Sequence, residues 1–332
     1  MSNLERDPAE VLAVGTAVAE PAPATGGDVE ILEPREVPLG GPRAMNVRRT
    51  LPQRRRSLIG GWCFIDHYGP DDVAATGGMR VPPHPHTGLQ TVSWLFEGEI
   101  EHRDSAGSHA LVRPGELNLM TAGHGISHSE VSTPEARVLH GVQLWVALPA
   151  ASREVAPFFE HHVPVASVLG DATVRTFVGE LAGSGTAATV FSPLVGAEIV
   201  APAGASLRIP LDTAFEHGVL VDAGAVAVAG TAVPVAHLAY LAPGRDAVEV
   251  VVGDDGPARL VLLGGEPLGE QIVMWWNFIG RDHDDIVAAR AHWQAEVIGG
   301  VDPHGRFGTV EGYDGAALPA PELPTVRLKP RG

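Results

Sequence analysis

The chain has 332 residues, enough for two domains of about 100 to 150 residues each, and 45% of them are apolar, enough to fill two cores. A net charge of −17 repels phosphate backbones and argues against direct nucleic-acid binding, because the basic run Arg54-Arg55-Arg56 is too short to reverse the sign. With 40 glycines, 28 prolines and only 5% aromatic residues, the composition is that of an all-β protein, many turns between short elements.

Taken in chain order, residues 1–28 are rich in Ala, Pro and Gly and read as a disordered tail. Met1 to Asp7 shows neither a basic start nor an apolar run, so a cytoplasmic location is expected. The one cysteine, Cys63, sits among Trp62, Phe64 and Ile65 as a small buried thiol, which fits a reducing compartment. From 29 to 150 the pattern is short apolar runs cut by turn residues, among them Leu89 to Phe96, Ile100 to His102, Leu117 to Met120 and Leu139 to Leu148. Glu97-Gly98-Glu99 reads as a hairpin turn with Gly98 free to take positive φ.

A second series of strands fills 151–280. Its uncharged stretch from Ala223 to Gly244 is long enough to raise the question of a membrane span, but Gly224, Gly230, Pro234 and Pro243 cut it into pieces of strand length. No membrane segment is expected. Each series holds enough strands for its own closed or sandwiched sheet. Residues 281–332 differ: Asp282 can cap a helix over about 283–297, with Ile286, Ala289, Trp293 and Val297 on one stripe, followed by an extended arm making few contacts.

The chemistry is carried by Pro82-Pro83-His84-Pro85-His86 and, about forty residues on, by His128-Ser129-Glu130. Side chains two apart on an extended chain leave the same face. His84 and His86 can therefore aim at one point, as can His128 and Glu130, and neighbouring strands of a small barrel could make the points coincide. His-Pro-His alone is often only a polar turn; its pairing with His-x-Glu carries the inference. Three imidazoles and a carboxylate suit borderline divalent ions such as iron, manganese, nickel, copper or zinc, and iron(II) is the expected occupant. Glu130 is expected to supply the carboxylate ligand. His124, between two glycines, is a candidate to orient a ligand or substrate from behind. His102, His109, His161 and His162 read as solvated, and His140 as a satisfied core histidine.

Three segments carry a family resemblance: His84 to Trp94, Leu119 to Glu130 and His140 to Val146. In order and spacing they resemble the pirin family, as do Arg56-Ser57-Leu58 with Phe64 to Pro70, and Leu263 to Glu270 with Met274 to Phe278. The resemblance spans about 45 to 298. It implies two cupin (jelly-roll) barrels packed face to face, metal only in the first, and a short C-terminal helix. Its ligands fall on His84, His86, His128 and Glu130, while Gln90 stands where the wider cupin pattern puts a glutamate. It further implies a monomer and a dioxygenase that opens flavonol-type chelating substrates such as quercetin, with Glu130 as metal ligand and catalytic base together. The alternative is an iron-binding, redox-responsive adaptor that docks on an enzyme or transcription factor as its protein partner.

Overall fold

A computed structural model describes residues 29–39 and 45–332; the expected tail over 1–28 lies outside them. Within the first half, apolar strands, those of the larger sheet buried on both faces over most of their length, form two antiparallel sheets. The larger runs in the order Phe158–His162, Leu117–Thr121, Leu89–Glu97, Val138–Ala147, Trp62–Asp72, Met45–Leu51 and Arg35–Leu39. The smaller runs Arg80–His86, Ile126–Ser132, Ile100–Asp104 and His109–Val112. The second half repeats the plan. A large sheet is centred on Glu216–Ala223, Ala258–Gly265 and Leu194–Ala201, and a small one runs Ser206–Pro210, Ala247–Val252, Val226–Val228 and Thr231–Val233. The architecture is therefore the expected all-β pair of barrels, and Gly98 turns the hairpin at φ +96°.

The barrels pack through their large sheets. One core cluster contains Trp62, Trp94, Val142 and Leu144 from the first together with Phe177, Leu220, Leu238 and Leu263 from the second. Trp94 and Phe177 meet at 4.8 Å between ring centres. Two strands also cross the expected division between the halves. Glu30–Leu32 pairs with Leu238–Leu241 of the second barrel, and Phe158–His162 pairs with Leu117–Thr121 of the first. Each covers backbone donors and acceptors that an open sheet edge would expose.

Between the barrels Asp222 accepts hydrogen bonds from His67 Nε2 at 2.7 Å and His140 Nε2 at 2.6 Å on one oxygen. Arg259 donates to the other oxygen at 3.1 Å. Burial alone would raise the Asp222 pKa, yet the hydrogen bonds from His140 and His67 hold it well below the ordinary carboxylate range. His140 is thus the satisfied core histidine that the sequence suggests.

Asp282 caps the C-terminal helix His283–Trp293 by accepting the Asp285 amide at 3.0 Å, and Ile286, Ala289 and Trp293 form its buried stripe. The last turns, Gln294–Ile298, widen to π geometry. The arm beyond packs more closely than its proline-rich sequence suggests. Phe307 is fully buried 5.5 Å from the Trp293 ring, the Leu318 amide donates to the Pro83 carbonyl, and Arg331 and Ile272 exchange backbone hydrogen bonds. It straps the outer face of the small sheet of the first barrel, where its Phe307 carbonyl accepts from Ser127 Oγ at 2.9 Å. No helix among the described residues is long and apolar enough to cross a membrane.

Replacing Asp222 by alanine strands two histidines and a guanidinium in the joint between the barrels. We expect a loss of about 3 kcal/mol in denaturant unfolding; an unchanged midpoint would show that the joint does not depend on the carboxylate.

Candidate metal centre

Arg80–His86 and Ile126–Ser132 pair antiparallel with His84 opposite His128 and Ile126 opposite His86. Between His128 and Glu130 the register slips, so that Glu130 faces Val81 across the Pro82-Pro83 step. Two successive prolines lack the N–H groups a regular ladder would use, and a bulge is the local outcome. His128 and Glu130, two apart, leave the same face, as do His84 and His86. All four side chains are fully buried.

The donor nitrogens of His84, His86 and His128 lie within 4.8 Å of one another. His84 Nδ1 lies 2.8 Å from the Pro82 carbonyl, which fixes its proton on Nδ1, and its Nε2 is buried without a hydrogen-bond partner. His86 Nε2 and His128 Nε2 are 3.1 Å apart with no oxygen between them. Bare imidazole lone pairs converging in a dry pocket are what a divalent cation satisfies, so the residues fit a metal ion of the borderline class. The trio His67, His140 and Asp222 also lies within 4.8 Å but differs in kind. There each ring presents its Nε2–H to the Asp222 carboxylate, and His67 Nδ1 is the one ring nitrogen of the trio buried without a partner. Arg259 beside Asp222 and Arg48, 3.4 Å from His67 Nε2, already supply the positive charge.

Around the site, Ser93 Oγ lies 3.3 Å from Glu130 Oε1 and 2.9 Å from Gln143 Oε1. One hydroxyl proton cannot serve two acceptors. With the Gln143 amide turned to donate, Ser93 passes its own proton to Glu130 and the otherwise unpartnered Gln143 nitrogen is satisfied. Trp145 meets the His86 ring edge-on at 5.1 Å and stacks on Phe64 at 3.9 Å, which restrains the imidazole. Gly88, at φ +68°, lets the chain pass the Ile279 carbonyl, where a Cβ would sit 2.5 Å away. A cleft of about 310 Å³ lined by Thr87, Gly88, Gly123, Arg153 and Arg306 opens one residue along the chain from His86.

His102 is not the solvated side chain expected from the sequence. It is 3% exposed, pairs across the strands with Glu130, and places Nδ1 3.3 Å from His128 Nδ1 and Nε2 3.2 Å from Asp104. The signal was present: His102-Arg103-Asp104 has the same two-residue spacing as the other pairs. His109 and His161 are exposed, as expected. His124 is half-buried; its backbone amide donates to the Val155 carbonyl, and its ring belongs to none of the donor clusters among the described residues. Gln90 donates to Thr121 Oγ1 and to the Thr189 carbonyl, both at 2.9 Å.

Burial pushes the pKa of His84 down to about 3 and those of His86 and His128 well below the ordinary imidazole range, with repulsion from the neighbouring rings adding to it. The rings are therefore in the neutral, ligating form. In metal-free protein the unfolded chain takes up a proton at His84 that the folded chain refuses until about pH 3, so stability falls as the pH drops below the free-imidazole value. Unfolding free energies measured at about pH 7 and pH 5 should differ by about 2 kcal/mol from this group alone. A flat profile would contradict neutral buried rings.

Residues 44–146 match the Pirin family, and residues 196–299 match the Pirin C-terminal cupin domain. A Pseudomonas aeruginosa protein that carries the provisional name quercetin 2,3-dioxygenase is 42% identical over 292 residues, 87% of this chain and 89% of the relative. A pirin-like protein of Caulobacter vibrioides is 37% identical over 260 residues, 75% of this chain and 88% of the relative. Among solved structures, quercetin 2,3-dioxygenase from Acinetobacter baumannii superimposes with a TM-score of 0.83 at 38% identity, covering 90% of this chain and 97% of that one. With both domain matches in chain order and relatives aligned over most of its length, the chain belongs to the pirin family.

Proposed function

We propose that this protein is a metal-dependent dioxygenase of flavonol-type substrates, with one iron(II) ion held by His84, His86, His128 and Glu130. The observation that carries the reading is the convergence of the unpartnered His84 Nε2 with the His86 and His128 nitrogens, His128 being shared with a second cluster that holds Glu130 and His102 within 4.8 Å. The names of the relatives from Pseudomonas and Acinetobacter support the substrate class. An iron ion at this donor set supplies Lewis acidity and open positions for dioxygen chemistry.

The protein's own part is proton handling and orientation. Ser93, backed by Gln143, fixes Glu130 through Oε1. The Glu130 carboxylate is the base that takes the proton of a flavonol hydroxyl and leaves an electron-rich anion for oxygenation. Burial of the carboxylate strengthens that interaction by lowering the local dielectric.

Dioxygen uptake by the iron(II)-loaded protein with quercetin, beside His128→Ala and metal-free controls, tests this. Uptake should follow the metal and vanish in the variant. Uptake absent with iron fully bound would hand the reading to a redox-responsive adaptor. Glu130→Gln should keep part of its metal yet lose turnover by about 100-fold or more; retained turnover would remove Glu130 from the role of base.

A further inference from the structure

We infer that Asp104 and His102 form a relay that fixes the tautomer of His128, so that its Nε2 lone pair faces the metal site. The inference rests on the metal assignment above and concerns residues outside the four ligands. Its basis is a chain of three contacts. Asp104 Oδ1 accepts the Ala106 and Ser108 amides, both at 2.9 Å, while Oδ2 lies 3.2 Å from His102 Nε2. His102 Nδ1 in turn lies 3.3 Å from His128 Nδ1, and His128 Nε2 faces His86 Nε2.

Hydrogen-bond direction follows from one end. A carboxylate only accepts, so His102 carries its proton on Nε2 and presents a bare Nδ1. That nitrogen can only accept, which places the His128 proton on Nδ1 and leaves Nε2 as a lone pair. The fold holds the sequence in register: Asp104 lies opposite His128 and His102 opposite Glu130 on adjacent strands, so the side chains share the barrel face. Phe159 stacks on the His102 ring at 4.7 Å between centres and 22° between planes, which restrains it from turning. Asp104 and His102 are positioning residues, acting on the metal through His128.

The arrangement makes an unusual demand on substitutions. In Asp104→Asn the two backbone amides still require the oxygen, so the NH₂ group is forced toward His102 Nε2. Each proton in the relay then reverses, and His128 receives its proton on Nε2, where the ligating lone pair should be. In Asp104→Ala nothing drives the reversal. The isosteric asparagine should therefore weaken nickel(II) binding by about 10- to 100-fold, and more than alanine does, the opposite of the order expected from shape and packing alone. Nickel(II) affinity is measured by chelator competition on the full chain, with thermal melting to establish that each variant is folded.

Nitrogen-15 spectra of the histidines in metal-free protein read the relay directly. A proton on His128 Nδ1 in the wild type, moved to Nε2 in Asp104→Asn, is the expected result. A wild-type proton on His128 Nε2 overturns the inference, as does an asparagine variant that binds nickel(II) as tightly as the wild type or alanine. Because the spectra need no metal, a wild type that fails to bind nickel(II) would sink the metal assignment while the relay is still read independently.

Discussion

Three neutral imidazoles whose donor nitrogens lie within 4.8 Å of one another, with His84 Nε2 lacking any hydrogen-bond partner, form an arrangement that a buried protein interior does not by itself stabilise. Much of the first barrel serves to hold it. The Pro82 carbonyl fixes the His84 proton on the outward nitrogen, Trp145 presses on His86, and the Ser93–Gln143 pair faces Glu130. Such a pocket is unfavourable without a cation and well matched to one, and the same residues that raise the cost of the empty state orient the donors for the filled one.

Support reaches the site from distant parts of the chain. The hairpin Val273–Trp275 and Phe278–Gly280 docks on Thr87, where the Ile279 amide donates to the Thr87 carbonyl at 3.0 Å. The C-terminal arm covers the back of the two ligand strands and seals them from solvent with Phe307 and Leu318. Phe159, from a strand on the far side of the expected domain division, packs on His102. The second barrel anchors the large sheet of the first through the shared core and Asp222. Its chemistry is that of a joint: carboxylate, imidazole and guanidinium satisfy one another there, which leaves no set of bare lone pairs for a cation.

What could be read from the sequence was what is local. Alternation on a strand puts residues two apart on one face, so His84 with His86, and His128 with Glu130, were legible from spacing alone, as were the Gly98 turn and the Asp282 cap. Long-range pairing was not. The strand Glu30–Leu32 finds its partner some two hundred residues away, and no local pattern encodes which sheet edge it will cover. His67, His140 and Asp222 meet only because two barrels dock. The arm read as extended with few contacts because prolines remove backbone donors, yet a few well-placed apolar side chains and carbonyls suffice to seat it on an existing surface. His102 was hidden for another reason: the polar neighbours Glu101 and Arg103 pointed to solvent, although alternation sends them to the opposite face.

The central claim is that a metal sits on His84, His86, His128 and Glu130 and not in the joint between the barrels. Anomalous diffraction at the metal edge from crystals of the iron- or nickel-loaded protein tests it directly. The account expects one peak in the first barrel at about 2.0 to 2.2 Å from the three Nε2 atoms and the carboxylate. A peak at His67, His140 and Asp222 with the first barrel vacant would contradict it.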